Sequence, residues 1–242
     1  MSEEASPVTT HTIVKAADEH LPVAIGVVSR GAIGIGCFMS LMTVHTTKLV
    51  QHVWAEGCHG YLDDGRNSVT DHFMRLMPEC THLLMVDDDI EFSPDDVRML
   101  YADDQPVVTG VYHSQFPEGI CPVIYGAYMD DQDRKRMGLV SGWGDGWPWY
   151  PNHAEPPEED LDPLIQIGGC GAGFLMLRRD ALEQLATTYG SPLPYFDEPV
   201  VEGLHWGEDF GLCLRLADLG IPIYADRRVQ VAHHKVTRLG GR

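Results

Sequence analysis

His82-Leu-Leu-Met-Val-Asp-Asp-Asp-Ile-Glu-Phe92 decides how the chain reads. Four apolar residues, Leu83 to Val86, make a run of strand length, and three carboxylates end it. A short apolar run bounded by charge predicts a buried strand. In open α/β sheets the carboxyl ends of strands are where ligands bind. Three adjacent carboxylates repel one another, and keeping them together is costly unless a cation or solvent neutralises them. Mg2+ or Mn2+, with oxygen ligands and a bound diphosphate, meets that need. The competing reading is an acidic loop that caps the next helix. Ser93-Pro94-Asp95-Asp96 already supplies an N-cap, a proline at the first helical position and acids for the first turn.

Outward from that strand, apolar runs alternate with helical spacing. Val23 to Ser29 predicts a first strand, ended by Arg30-Gly31. Cys37 to Val50 predicts a helix with Phe38, Leu41, Met42, His45 and Leu49 on one face. Gln51 to Cys58 reads as a strand, Leu62-Asp-Asp-Gly65 as a turn, and Asn67 to Met77 as a helix with Pro78 beyond its end. Pro106 to Val111 is a further strand, and Ile165 to Leu177 joins a glycine-dense turn to another. Helices follow at Arg179–Tyr189 and Gly207–Leu219, and Val229 to His234 forms a last strand. Such alternation predicts an α/β fold with a mostly parallel central sheet covered on both faces.

Residues 1–20 are polar and read as a flexible N-terminal leader, with residues 21–242 as a single domain. Residues 141–163 cannot continue regular structure. They carry Gly142-Trp-Gly-Asp-Gly-Trp-Pro-Trp-Tyr-Pro151 and the acidic Glu155–Asp160 run. Aromatic density of this kind marks contact surfaces, so the segment reads as a substrate-facing loop on the acceptor side.

The 242 residues carry 36 acidic and 17 basic side chains, a formal net charge of −19. That balance opposes binding to duplex nucleic acid, which needs a basic surface, and docking on anionic membranes. It suits an enzyme that gathers divalent cations. Six scattered cysteines without a Cys-x-x-Cys pair indicate a reducing compartment. The acidic start lacks the features of a signal peptide, and the longest apolar run is too short to span a bilayer, so a cytoplasmic location is expected. Several motif readings fail. An EF-hand loop needs glycine where Phe92 stands, and Gly31-Ala-Ile-Gly-Ile-Gly36 reverses the dinucleotide-binding order. No P-loop, His-Glu-x-x-His or Gly-x-Ser-x-Gly occurs.

Several segments recur in one order: Val23–Gly31, Gly65-Arg66-Asn67, Leu84–Phe92, the Gly169–Arg178 turn and strand, Gly207-Glu-Asp-Phe210 and His233-His234. This set resembles the GT-A glycosyltransferases, close to family 2-like enzymes and small relatives in bacteriophage genomes, over roughly residues 20–235. The resemblance implies a GT-A fold with a small antiparallel portion beside the parallel sheet. It also implies transfer of a sugar, of hexosyltransferase type, from a UDP- or GDP-sugar to an acceptor hydroxyl.

The site residues carry over by position. Ser29, Arg30, Arg66 and Asn67 would face the donor, with Asp88 in the acidic triplet beside them. Asp89 would bind Mn2+ or Mg2+, and Asp87 would reach the ribose or the metal's water shell. Gly169, Gly171 and Gly173 would let the backbone approach the sugar; a tight turn between strands explains them equally. Glu208 and Asp209 resemble a pair whose second acid is the general base in inverting relatives. Acids at a helix start also complement its dipole. One of the two histidines would be a further metal ligand: His233, in phase with Val229 and Val231, or alternatively His234.

Two rivals stand beside this reading. A nucleotidyltransferase shares the α/β layers and an acidic metal site, but Ser29–Gly34 lacks the lysine its loop requires. A non-catalytic nucleotide-sugar-binding module predicts affinity without turnover. The acceptor (protein, glycan, small molecule or modified nucleobase) and the stereochemistry stay open. The reading implies no membrane partner, admits a homodimer, and places a phage-encoded enzyme in the host cytoplasm.

Overall fold

Leu21–Ser29 (β1) is buried at eight of its nine positions, as a strand covered on both faces must be. The computed structural model describes residues 20–58, 61–116, 119–129, 135–139, 163–190, 195–201 and 203–235. After β1 come α1 (Ile35–Thr46), β2 (Val50–Gly57), α2 (Leu62–Leu76), β3 (His82–Asp87), β4 (Ile90–Glu91), α3 (Pro94–Ala102) and β5 (Val107–Val111). The middle holds β6 (His113–Phe116), β7 (Gly119–Pro122), β8 (Ile124–Met129) and β9 (Lys135–Leu139). The rest is β10 (Leu164–Ile167), β11 (Gly169–Cys170), β12 (Phe174–Arg178), α4 (Arg179–Tyr189), β13 (Val200–Val201), β14 (Leu204–His205), α5 (Glu208–Asp218), β15 (Ile223–Gln230) and β16 (Ala232–His233).

Seven strands form the central sheet in the order β10-β15-β5-β12-β3-β1-β2. β2, β1, β3, β5 and β15 run one way; β12 and β10 run against them. Alternate β1 side chains feed two cores. Ala24 and Val28 pack under α2, α4 and α5, while Val23, Ile25 and Val27 pack under α1 and α3. The expected mostly parallel α/β sheet, flanked by helices and joined by small antiparallel ladders, is the observed architecture.

Two local expectations change. Leu62-Asp-Asp-Gly65 is the first turn of α2 and not a separate turn. Gly65 is there for close packing: a Cβ would strike the Cys58 sulfur and lie 3.1 Å from Val28 Cγ1. On α1 the buried residues are Cys37, Ser40, Leu41 and Val44, while Phe38 and Met42 face solvent. That helix is apolar nearly all round, so spacing cannot choose its face. The 1–19 leader and most of the aromatic 141–163 segment lie outside the described residues. Among the described residues no helix is long and apolar enough to cross a membrane.

Candidate active site

The parallel strands end on one edge of the sheet, and the first turns of α2 and α5 face that edge. β3 delivers the acidic triplet there, with Asp87 level with Val28 of β1. The three carboxylates turn to three different partners. Arg66 Nη2 donates to Asp87 Oδ1 at 3.0 Å and Oδ2 at 3.2 Å. Asp88 Oδ2 accepts from the Ser29 hydroxyl at 2.8 Å and from the Arg30 backbone N–H at 3.0 Å, closing the end of β1. The Arg30 side chain itself is exposed.

Asp89 meets the far end of the chain. β16 pairs with β4 in a two-residue antiparallel ladder that sets His233 opposite Ile90. His233 Nε2 thereby lies 3.2 Å from Asp89 Oδ1, and Lys235 Nζ 3.0 Å from Oδ2. Burial disfavours the Asp89 carboxylate, but the hydrogen bonds from His233 and Lys235 outweigh it and hold the group at about 2. His234 points elsewhere, to Glu91 Oε2 at 2.7 Å, and is half-exposed.

Arg66 is the hub. It is 3% exposed, and its Nη1 stands 2.9 Å from Glu208 Oε1, an ion pair out of line for a hydrogen bond. One buried guanidinium thus joins the triplet to the start of α5. Burial works against its charge, yet Asp87, Glu208 and Asp209 together push its pKa further up. Asp209 sits beside Glu208 with Oδ1 accepting from the Phe210 N–H at 2.8 Å. Its pKa is raised to about 6, first by burial; Arg66 opposes the rise and Glu208 adds to it. A carboxylate poised near neutral pH has the property a general base needs.

Two residues read as donor-facing are engaged otherwise. Asn67 Nδ2 donates to the Phe196 carbonyl at 2.7 Å, and its Oδ1 accepts from the Phe196 N–H at 2.9 Å. Gly171 lies under Tyr112: a Cβ there would strike the Tyr112 hydroxyl and come within 2.6 Å of Val123 Cγ1. At Gly173 the same addition would meet Tyr112 at 2.9 Å and Asp87 Oδ2 at 3.0 Å. The glycines make room for a buried tyrosine, whose oxygen accepts from the Gly173 N–H at 3.1 Å.

Sequence reasoning passed over Tyr112 and Lys235. Tyr112 directly follows a strand end, the signal that singled out Asp87. Lys235 sits two residues from His233, and only the β16–β4 ladder shows what it touches.

The residues fit a divalent cation on one point of chemistry. His233 Nδ1 bonds the His113 carbonyl at 2.7 Å, so that nitrogen carries a proton. Burial opposes the imidazolium, but the bonds to Asp89 and His113 outweigh it and raise the His233 pKa. Loss of the Nε2 proton to an arriving cation would free that lone pair beside Asp89. Asp87 spends both oxygens on Arg66, and Lys235 stands where a metal's charge would lie. Cys37, whose sulfur is 3.7 Å from the Asp87 carbonyl, is pushed up to about 12 by burial and then by the triplet, so it stays a thiol.

No known sequence family and no curated protein matches the chain. Solved structures do. The protein A197 from STIV aligns with a TM-score of 0.51 at 16% identity, over 88% of this chain and 86% of that one. GalNAc-T7, in a structure with UDP, GalNAc and Mn2+, aligns at 0.52 and 11% identity. There the match covers 90% of this chain but 44% of that one, so the chain spans under half of the GalNAc-T7 length. CMP:2-keto-3-deoxy-manno-octonic acid synthetase complexed with CTP is more distant, at 0.43 and 17% identity over 87% and 90%. At these identities the likeness is one of fold, that of the nucleotide-diphospho-sugar transferases.

Proposed function

We propose that the chain is a metal-dependent glycosyltransferase that moves a sugar from a nucleotide-diphosphate donor to an acceptor hydroxyl. The observation that carries this reading is the Arg66 bridge, which ties the triplet-bearing strand end to Glu208, the neighbour in sequence of Asp209, whose own pKa is raised to about 6. The shared fold is one on which GalNAc-T7 holds UDP, GalNAc and Mn2+.

In this reading Asp89 and His233 hold the cation, and Asp87 stays on Arg66 facing the ribose or the water shell. When bound, the cation supplies charge neutralisation for the departing diphosphate. Asp209 accepts the acceptor's hydroxyl proton as that oxygen bonds to the anomeric carbon. The bond from that carbon to the diphosphate breaks, and the nucleoside diphosphate leaves with its electron pair. Direct displacement of this kind inverts the anomeric centre. Arg66 holds Glu208 and Asp87 in place and helps Asp209 ionise.

The test is a panel of UDP-, GDP- and CMP-sugars, each with and without Mn2+, scored for release of free nucleotide. The expected result is metal-dependent release from one donor, lost in Asp209→Asn with donor binding retained. Pyrophosphate release from CTP or UTP with a sugar phosphate, and no release from any nucleotide sugar, would replace the proposal with a nucleotidyltransferase.

A further inference from the structure

A second cluster of donor atoms lies at the opposite, amino-terminal end of the strands. His52 is the third residue of β2, the edge strand, and Glu79 and Cys80 form the turn that leads into β3. His52 Nε2 is 2.6 Å from Glu79 Oε1. With the Cys80 sulfur these donors all lie within 4.8 Å of one another, and they are the group of three among the described residues that does so. Five steps of extended strand lead from His52 to Gly57, about 17 Å at the usual rise, so this cluster is remote from the strand end that carries Asp88 and Asp89.

Hydrogen bonds hold the turn in place. Arg179 anchors it by donating to the carbonyls of Met77 at 2.7 Å and Cys80 at 2.8 Å. The Cys80 N–H closes it on the Met77 carbonyl at 3.0 Å. The Cys80 thiol donates to Gln51 Oε1 at 3.0 Å, and burial and then Glu79 push it up to about 11, so a bound ion must displace that proton. Cys80 is fully buried, whereas His52 and Glu79 are 41% and 49% exposed at their side chains, so the cluster opens to solvent on one side.

We propose that His52, Glu79 and Cys80 form a zinc site that clips the edge strand β2 to the start of β3. One imidazole, one carboxylate and one thiolate are the mixed donors that borderline-soft Zn2+ takes, at about 2.0–2.3 Å and in tetrahedral array. The ion replaces the His52–Glu79 hydrogen bond, spreads those two atoms to about 3.3 Å, and keeps a fourth position for water on the open side. Hard Mg2+ or Mn2+ belongs at the acidic end of the molecule and is not favoured by sulfur.

Cobalt tests this without reference to activity. The full chain, stripped with chelator, is titrated with Co2+ and then Zn2+. The expected result is a sulfur-to-cobalt charge-transfer band that saturates at one equivalent and is displaced by Zn2+. It disappears in Cys80→Ser and in His52→Ala, and persists in Cys37→Ser. Zn2+ also raises the melting temperature of the parent chain and leaves both site variants unmoved. His52→Ala changes a half-exposed side chain and keeps the test decisive if Cys80→Ser fails to fold. Absence of the band, or a band that survives both site variants, overturns the proposal.

Discussion

Arg66 donates to both carboxylate oxygens of Asp87 across 21 positions of sequence. Because the same side chain is buried and also faces Glu208, removing it strands two carboxylates at once. Arg66→Met is expected to cost about 3–5 kcal/mol in urea denaturation. Arg66→Lys should recover part of that, since a point charge can meet one carboxylate but cannot fork between two. A loss below about 1 kcal/mol for the methionine variant would show that the bridge is not formed.

Asp209 sets a pH profile. Its folded pKa of about 6 exceeds the ordinary 3.8. A base works only when ionised, so turnover should rise with pH through about 6 and then level off. A flat profile from pH 5 to 8 would remove Asp209 from that role.

The same shift has a stability sign. A raised carboxylate pKa favours the folded state fully below 3.8, and that contribution is lost as pH climbs through about 6. At pH 7.5 ionised Asp209 therefore costs stability. Asp209→Asn keeps an oxygen for the Phe210 N–H and should gain on the order of 2 kcal/mol while transfer is abolished. Thermal melts at pH 3.5, 4.5 and 7.5 check this, and the gain should grow from near zero at the lowest pH to its full size at the highest.

Asn67 and Phe196 exchange two hydrogen bonds, which gives Asn67 a structural contact. Asn67→Ala should cost about 1–3 kcal/mol by leaving Phe196 backbone groups unpaired. Nucleotide affinity by calorimetry should stay within about twofold. A tenfold loss of affinity in a fully folded variant would return Asn67 to the donor.

Asp103 and Asp226 share Arg228, whose Nη2 is 2.8 Å from each. Asp226 is fully buried, and burial followed by Asp226 raises Asp103 to about 6. Above that pH both acids depend on one arginine. Arg228→Met should cost roughly 2–4 kcal/mol at pH 8 and clearly less at pH 5, where Asp103 is protonated. Equal losses at the two pH values would show that the pair does not titrate there.

Features fixed by near neighbours in sequence are the ones the chain shows openly. The Ser93 cap is an example. Its oxygen accepts from the Asp96 N–H at 3.3 Å, and the Asp96 carboxylate accepts from the Ser93 N–H at 2.7 Å. The Arg179–Tyr189 helix also has the bounds its spacing implies. Features fixed by distant partners are not readable in this way. Arg66 and Asn67 look alike as a pair opening a helix, yet one turns to Asp87 and Glu208 and the other to Phe196, 129 positions on. The glycines near residue 171 lie against Tyr112, supplied by the link between two other strands. Spacing can mark a position as special; only tertiary structure says which neighbour makes it so.

β12 lies between β3 and β5 although it is made after both, and the Thr109 hydroxyl bonds the Phe174 carbonyl across 65 positions. During vectorial synthesis at about 5–20 residues per second, the slot stays open for roughly 3–13 s. Throughout that interval the facing flanks of β3 and β5 carry unpaired backbone groups that invite foreign strands. The nascent chain is thus most exposed to misassembly at its own midline, and arrival of residues 174–178 seals the gap from within.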